Sequence, residues 1–349
     1  MMKCVKCGNE ITDMVCGICG FDLLKDSVCI IAPMITNDKD DITEFIRQSA
    51  SFDNLHKPIS SITLSGNQNV RLMKDECDSW VNYPKVLGSR YVRASICSIT
   101  FLDTLDNMPE DAWDVSEDSN GSVMAWVSAS QYTDLNDLFI AANGEIVVSN
   151  CKGIFRKYVN LERIHFNGIF NTSQVTDMGY MFEDCTALKE LDLSSFDTSQ
   201  VTNMNGMFMA CRALKELNLS SFDTSQVTDM GWMFEGCYAL IELDLSRFDT
   251  LQVTDMNSMF SYCTALKELD LSSFDTSQVT DMIWMFEGCT ALKELNLRDF
   301  NTSQVIYMAP MLKGCISLEK IYISAKWFSF SWKKRILQGC SARPTIEKI

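Results

Sequence analysis

The chain has 349 residues, 46% of them hydrophobic, enough for two or three domains around a sizeable core. Its formal net charge of -16 argues against nucleic acid as a partner, because affinity for a phosphate backbone rests on Lys and Arg, and it favours basic proteins instead. No apolar run approaches the ~20 residues of a membrane helix, the strongest being Val28 to Ile35, so no membrane insertion is expected.

The chain opens with MMKCVKCGNE, which lacks the charged-then-apolar layout of a secretory leader. Its 15 cysteines, an odd number, fit a reducing compartment better than a disulfide framework. A cytoplasmic location is the expectation, with the cell surface, by a route not visible in the sequence, as the alternative. Within residues 1–24, Cys4, Cys7, Cys16 and Cys19 form two Cys-x-x-Cys-Gly knuckles. The two-residue gap lets both thiolates of a knuckle reach one ion, and Gly8 and Gly20 permit the tight turn behind them. Four thiolates complete a tetrahedral shell around structural zinc. A redox pair is the other reading, but no strand-helix context surrounds the knuckles.

Residues 25–160 have no repeat. They mix strand-like runs such as SICSITFL with turn-rich acidic pieces such as DNMPEDAWDVSEDSNGS, and are expected to form an adaptor and N-terminal cap. From residue 161 to 317 the chain repeats every 26 residues. Phe170, Phe196, Phe222, Phe248, Phe274 and Phe300 keep this interval, and so do Cys185, Cys211, Cys237, Cys263, Cys289 and Cys315. Six repeats of this length predict a solenoid, and the divergent residues 318–349 a C-terminal cap over its open core.

Within one repeat, Leu214 to Ala239, the opening Leu-x-x-Leu-x-Leu predicts a short strand with Leu217 and Leu219 on one face and Glu216 and Asn218 on the other. Val227, Met230, Met233, Phe234 and Cys237 recur at helical spacing, with Ser225 or Thr228 as N-cap, and predict a short helix packed on the strand. The expected class is therefore α/β, a leucine-rich-repeat solenoid of one short parallel strand and one short helix per repeat. The Met-Phe column is read as core rather than a cofactor site. The cysteine column is read as core too, since rungs ~4.8 Å apart hold stacked Cβ atoms wider than the ~3.8 Å typical of disulfides.

The letters SSFDTSQVTDM, and MF followed by x-x-Cys, resemble the BspA-like leucine-rich repeats of bacterial surface proteins, and ITFLDTL and LFIAANGEIVV resemble the segment that precedes those repeats. The resemblance implies an interaction or adhesion protein. Two surfaces are candidates. Glu190, Glu216, Glu242, Glu268 and Glu294 form one column on the solvent side of the strands, with Asp192, Asp244 and Asp270 in the next. Neighbouring carboxylates at rung spacing repel by about 1 kcal/mol in water, which a basic partner or cation would relieve, although a solvated face beside Lys189, Lys215, Lys267 and Lys293 is the plainer reading. Helical geometry also turns Tyr180, Trp232 and Trp284 outward as an aromatic row for a partner or for self-association. Recent duplication of a repeat would explain the tryptophans equally.

An enzyme is not expected: only His56 and His165 are available as histidine bases, and neither a phosphate loop nor a nucleophile elbow is present. The expected function is that of a non-enzymatic protein-binding scaffold, with an exported adhesin as the alternative.

Overall fold

The computed structural model describes Leu64–Ser65, Leu87, Ser89 and residues 91–116, 119–324, 336–340 and 342–348, all within one unit of the chain, Pro58–Ile349. The four knuckle cysteines and His56 lie outside the described residues.

The β-branched run ICSITFL forms strand β2 (Ile96–Leu102), with Ile96, Ile99 and Phe101 buried. Around it the adaptor contributes β1 (Leu64–Ser65), β3 (Trp113–Asp114), β4 (Val123–Ala129), β5 (Asn136–Ala142) and β6 (Ile146–Val148). The repeats contribute β7 (Arg163–His165), β8 (Phe170–Asn171), β9 (Glu190–Leu191) and β10 (Glu294–Leu297), and the C-terminal end β11 (Lys320–Ile323) and β12 (Thr345–Lys348). The central repeat openings at Leu214, Leu240 and Leu266, expected to be strands, are extended but form none, because few backbone bonds such as Ile241 N–H to the Lys215 carbonyl join them. One sheet runs β3-β4-β5-β2-β7-β9, so the adaptor strands pass directly into the first strands of the repeats. A second, parallel sheet, β10-β11-β12, closes the far end, and a third orders β1-β6-β8. Arg93, buried to 2%, fastens the first join: its Nη1 donates to the Arg156 carbonyl at 2.6 Å and its guanidinium lies 5.0 Å from the Tyr158 ring centre.

Successive repeats stack in register, and the segment expected to be helical explains how. Its backbone is a run of turns. Met181, Glu183 and Cys185 donate their N–H groups to Met178, Tyr180 and Phe182 of the same rung, while Met178, Tyr180, Phe182 and Asp184 donate to Asn203, Asn205, Met207 and Met209 of the next. Alternate amides therefore bond within the rung and between rungs. An α-helix would consume all of them internally and leave nothing to join neighbours. The apolar spacing suggests a helix because both arrangements bury the same letters; the turn run prevails because it also satisfies its backbone against the adjacent rungs. It requires left-handed backbone at two positions per rung, Tyr180 and Asp184 in one (φ 57° and 58°) and Trp232 and Gly236 in another (φ 54° and 70°).

The core consists of columns. Phe182, Phe208, Phe234, Phe260 and Phe286 stack with centres 5.7–5.8 Å apart and planes within 8° of parallel. Phe155 extends this stack toward the adaptor at 5.6 Å, so the turn run begins at Cys151–Tyr158, ahead of Leu161. Each cysteine of the column from Cys185 to Cys315 is buried and free, and its thiol reaches the Phe carbonyl of the preceding rung, as Cys237 Sγ does to Phe208 O at 3.2 Å. The buried threonine hydroxyls act as staples: Thr224 donates to the Asp249 carbonyl (2.9 Å) and accepts from the Asp249 N–H (2.8 Å).

Candidate functional site

Alternation along the extended opening of each repeat, a strand only in β9 and β10, turns one side chain in two outward, and Glu190, Glu216, Glu242, Glu268 and Glu294 are all exposed while Leu217, Leu243, Leu269 and Leu295 beside them are buried. Strand register sets Arg163 opposite Glu190 at one end and Lys320 opposite Glu294 at the other, where Lys320 Nζ lies 3.2 Å from Glu294 Oε1. A cation thus stands at each end of the acidic row. Among the described residues, Glu216, Glu242 and Glu268 between them form no ion pair.

Asp192, Asp244 and Asp270 are exposed but already engaged. Each accepts the N–H of the serine two residues on, at 3.0, 2.9 and 2.9 Å, and these bonds hold the carboxyls below their ordinary range. Their first role is to close turns.

The middle of this face differs from its flanks, and the lysine column alone hints at it. Ile241 takes the column of Lys189, Lys215, Lys267 and Lys293, as its N–H bond to the Lys215 carbonyl (3.2 Å) shows. It is 43% exposed, and Tyr238, on the other side of the same turn, is 38% exposed. Glu242 and Asp244 therefore sit beside an apolar spot where other rungs place a lysine. One non-lysine in an otherwise uniform column is the signal that sequence reasoning missed.

The aromatic row is not carried by a helix. Tyr180, Trp232 and Trp284 occupy left-handed positions that alternate with small residues, giving the column Gly153, Tyr180, Gly206, Trp232, Ser258, Trp284, Pro310. Tyr180 lies along the stack, so close to Gly206 that a Cβ there would meet its ring at 2.6 Å. Tyr180 and Trp232 are half-buried, polar Ser258 between the two tryptophans is buried, and Trp284 alone of the three is exposed. The bulk of these rings is committed to covering neighbours. The column beside it alternates in the opposite phase, Gly179, Asn205, Gly231, Asn257. A Cβ at Gly231 would meet Asn257 Nδ2 at 2.9 Å, whereas Ile283 at the equivalent place is followed by Ala309.

A third column carries buried charge: Arg156, Glu183, Met209, Glu235, Ser261, Glu287, Lys313. Arg156 pairs with Glu183 (Nε to Oε2, 2.5 Å) and Lys313 with Glu287 (2.7 Å). Burial pushes the Glu235 carboxyl up to about 8, with Glu287 and Glu183 adding to the shift. The cysteine column is chemically quiet, since burial pushes the Cys237 and Cys315 thiols up to about 12 and keeps them protonated. None of the described residues forms a cluster of three or more metal-ligating side chains.

Two overlapping stretches, residues 149–267 and 240–331, match the family described as "Mycoplasma protein of unknown function, DUF285". Together they cover more than half of the 349 residues. The chain belongs to this family. The DUF285 stretches begin at the first turn run and take in every rung up to β11, so the acidic face, the aromatic column and the buried-charge column all fall inside them. No curated protein matches the chain. None of the helices among the described residues is long and apolar enough to cross a membrane.

Proposed function

We propose that the chain is a non-enzymatic protein-binding scaffold whose array is a leucine-rich-repeat solenoid of the BspA-like kind, that it binds a basic protein along its strand face, and that its first 24 residues are a zinc ribbon. One observation carries the binding reading: the unbroken exposed glutamate column, capped in register by Arg163 and Lys320, whose flanking lysine column is interrupted at its centre by Ile241. Rungs fixed by backbone bonds hold these carboxylates at a constant spacing, so a partner meets a pre-ordered surface. The resemblance to surface proteins keeps an adhesin as the second reading.

The test uses the full chain and an amphipathic peptide of alternating lysine and leucine as a model of a basic partner. Replacing Glu216, Glu242 and Glu268 by Gln is expected to weaken binding at least tenfold, and raised salt to weaken the native complex in the same way. Unchanged binding by the triple variant would remove the strand face from consideration. Labelling of intact cells separates scaffold from adhesin, and metal analysis of protein purified without chelator, expected to give about one zinc per chain lost in Cys4→Ser with Cys16→Ser, tests the ribbon.

A further inference from the structure

The buried-charge column builds the same arrangement twice. At its start, Glu183 is buried to 4%, its carboxylate bonded by Arg156 of the preceding rung (Nη2 to Oε1, 2.9 Å), and the Arg156 guanidinium lies 5.7 Å from the Tyr180 ring centre. At its end, Glu287 is buried to the same degree, with Lys313 of the following rung at 2.7 Å and the Tyr262 hydroxyl 3.4 Å from the same carboxylate oxygen. Each is a buried carboxylate, an adjacent-rung cation bonded to it, and a tyrosine alongside, which faces the cation through its ring in the first and the carboxylate through its hydroxyl in the second.

Midway stands Glu235. Its column neighbours are Met209 and Ser261, so neither adjacent rung supplies a cation there. The carboxyl is enclosed, and its Oε2 has no hydrogen-bond partner. The aromatic component is nonetheless present. Tyr262, half-buried, is close enough to feel the charges of Glu235 and Tyr238 as well as Glu287, and Tyr238 is exposed with the Arg212 guanidinium 5.5 Å from its ring centre. A buried carboxyl oxygen without a hydrogen-bond partner is costly, and at Glu183 and Glu287 the fold meets that cost with a cation.

We propose that Glu235 is the acceptor of a third such pair, completed by the guanidinium or ammonium head of a basic side chain on a binding partner, which enters beside Tyr238 and Tyr262. The ligand class follows from the internal precedent: one positive charge, hydrogen-bond donors for Oε2, and a flat or compact head that rings can flank. The site lies on the turn run, apart from the strand-face glutamates, and rests on the scaffold reading only for the source of the cation. Because the free carboxyl holds its proton at neutral pH, binding a cation must expel that proton. The groups that act on it are Glu287, Glu183 and Tyr262.

The experiment is a titration of the full chain with capped Gly-Gly-Arg-Gly-Gly and Gly-Gly-Lys-Gly-Gly between pH 6 and 9, with spermidine as a free-amine control. Affinity is expected to rise by about tenfold per pH unit up to about pH 8 and then to level, the mark of a carboxyl that must ionise to bind. Glu235→Gln should abolish this profile, as should Glu235→Met, which repeats the residue already stacked below at Met209; the strand-face triple Gln variant should leave it intact. An affinity independent of pH, retention of binding in the Glu235 variants, or no binding at pH 9 would overturn the proposal. Spermidine binding with the same profile and greater affinity would replace the partner side chain by a free amine. Loss of peptide binding only in the strand-face variant would overturn this site while sparing the proposed function.

Discussion

Glu235 shows how a single side chain can make an array sensitive to pH. Its folded-state pKa, about 8, lies above the ordinary 4.5, so between those values the folded chain holds a proton that the unfolded chain has released. Stability must then fall as pH rises from 4.5 to 8 and stay low above it. Asp281, raised to about 6 and half exposed, adds a smaller decline at the acid end of the same window. Each pKa unit corresponds to about 1.4 kcal/mol, so thermal denaturation of the native chain should show a loss of a few kcal/mol across the window, and Glu235→Gln should flatten the part above pH 6. A native chain whose unfolding temperature is constant from pH 6 to 8 would contradict the buried, unpaired carboxyl. Sequence alone does not single out this residue: the 26-residue interval places Met209 and Ser261 on either side of it, but a glutamate at every second rung resembles ordinary surface, and only the structure shows that it is buried.

At the scale of the element, the in-and-out alternation at the opening of each repeat was legible, although strands form there only in the outer repeats, and the other half was legible only in part. Leu217 and Leu219 face inward and Glu216 and Asn218 outward because period-two alternation admits one solution. Val227, Met230, Met233, Phe234 and Cys237 are all buried as expected, yet they form turns rather than a helix. Their spacing records which side chains are inside and says nothing of where the amides bond. The clue to the turn run lay in residues that a helix has no use for, the glycines at 206, 236 and 288, whose φ values are positive. Gly206 gives the sharpest test. Gly206→Ala places a methyl 2.6 Å from the Tyr180 ring at φ 59° and is expected to cost about 2 kcal/mol or more by chemical denaturation. Adding Tyr180→Ser, the residue that the same column holds at 258, should restore most of the loss, leaving only the strain of a left-handed alanine. Equal destabilisation in the single and double variants would show that the ring is not what Gly206 accommodates.

Over the whole molecule, columns that pass through every rung make the array a single cooperative body, with the adaptor sheet continuing into its first strands and β10-β11-β12 closing its last. The alternation of large and small along the aromatic column has a consequence for how such a body can change length. It gives the array a parity. Excising residues 185–210, one repeat, would bring the rung of Tyr180 against that of Trp232 and the buried Glu183 against Glu235; excising 185–236, two repeats, would bring Tyr180 against Ser258 and Glu183 against Ser261. Nearest-neighbour additivity alone predicts that the longer excision is the more damaging. Parity predicts the reverse, a lower unfolding temperature for the chain that has lost 26 residues than for the one that has lost 52. Growth or shortening of the array by recombination between like copies would then proceed in pairs, and the near-identity of the two tryptophan-bearing repeats marks the length of the true unit.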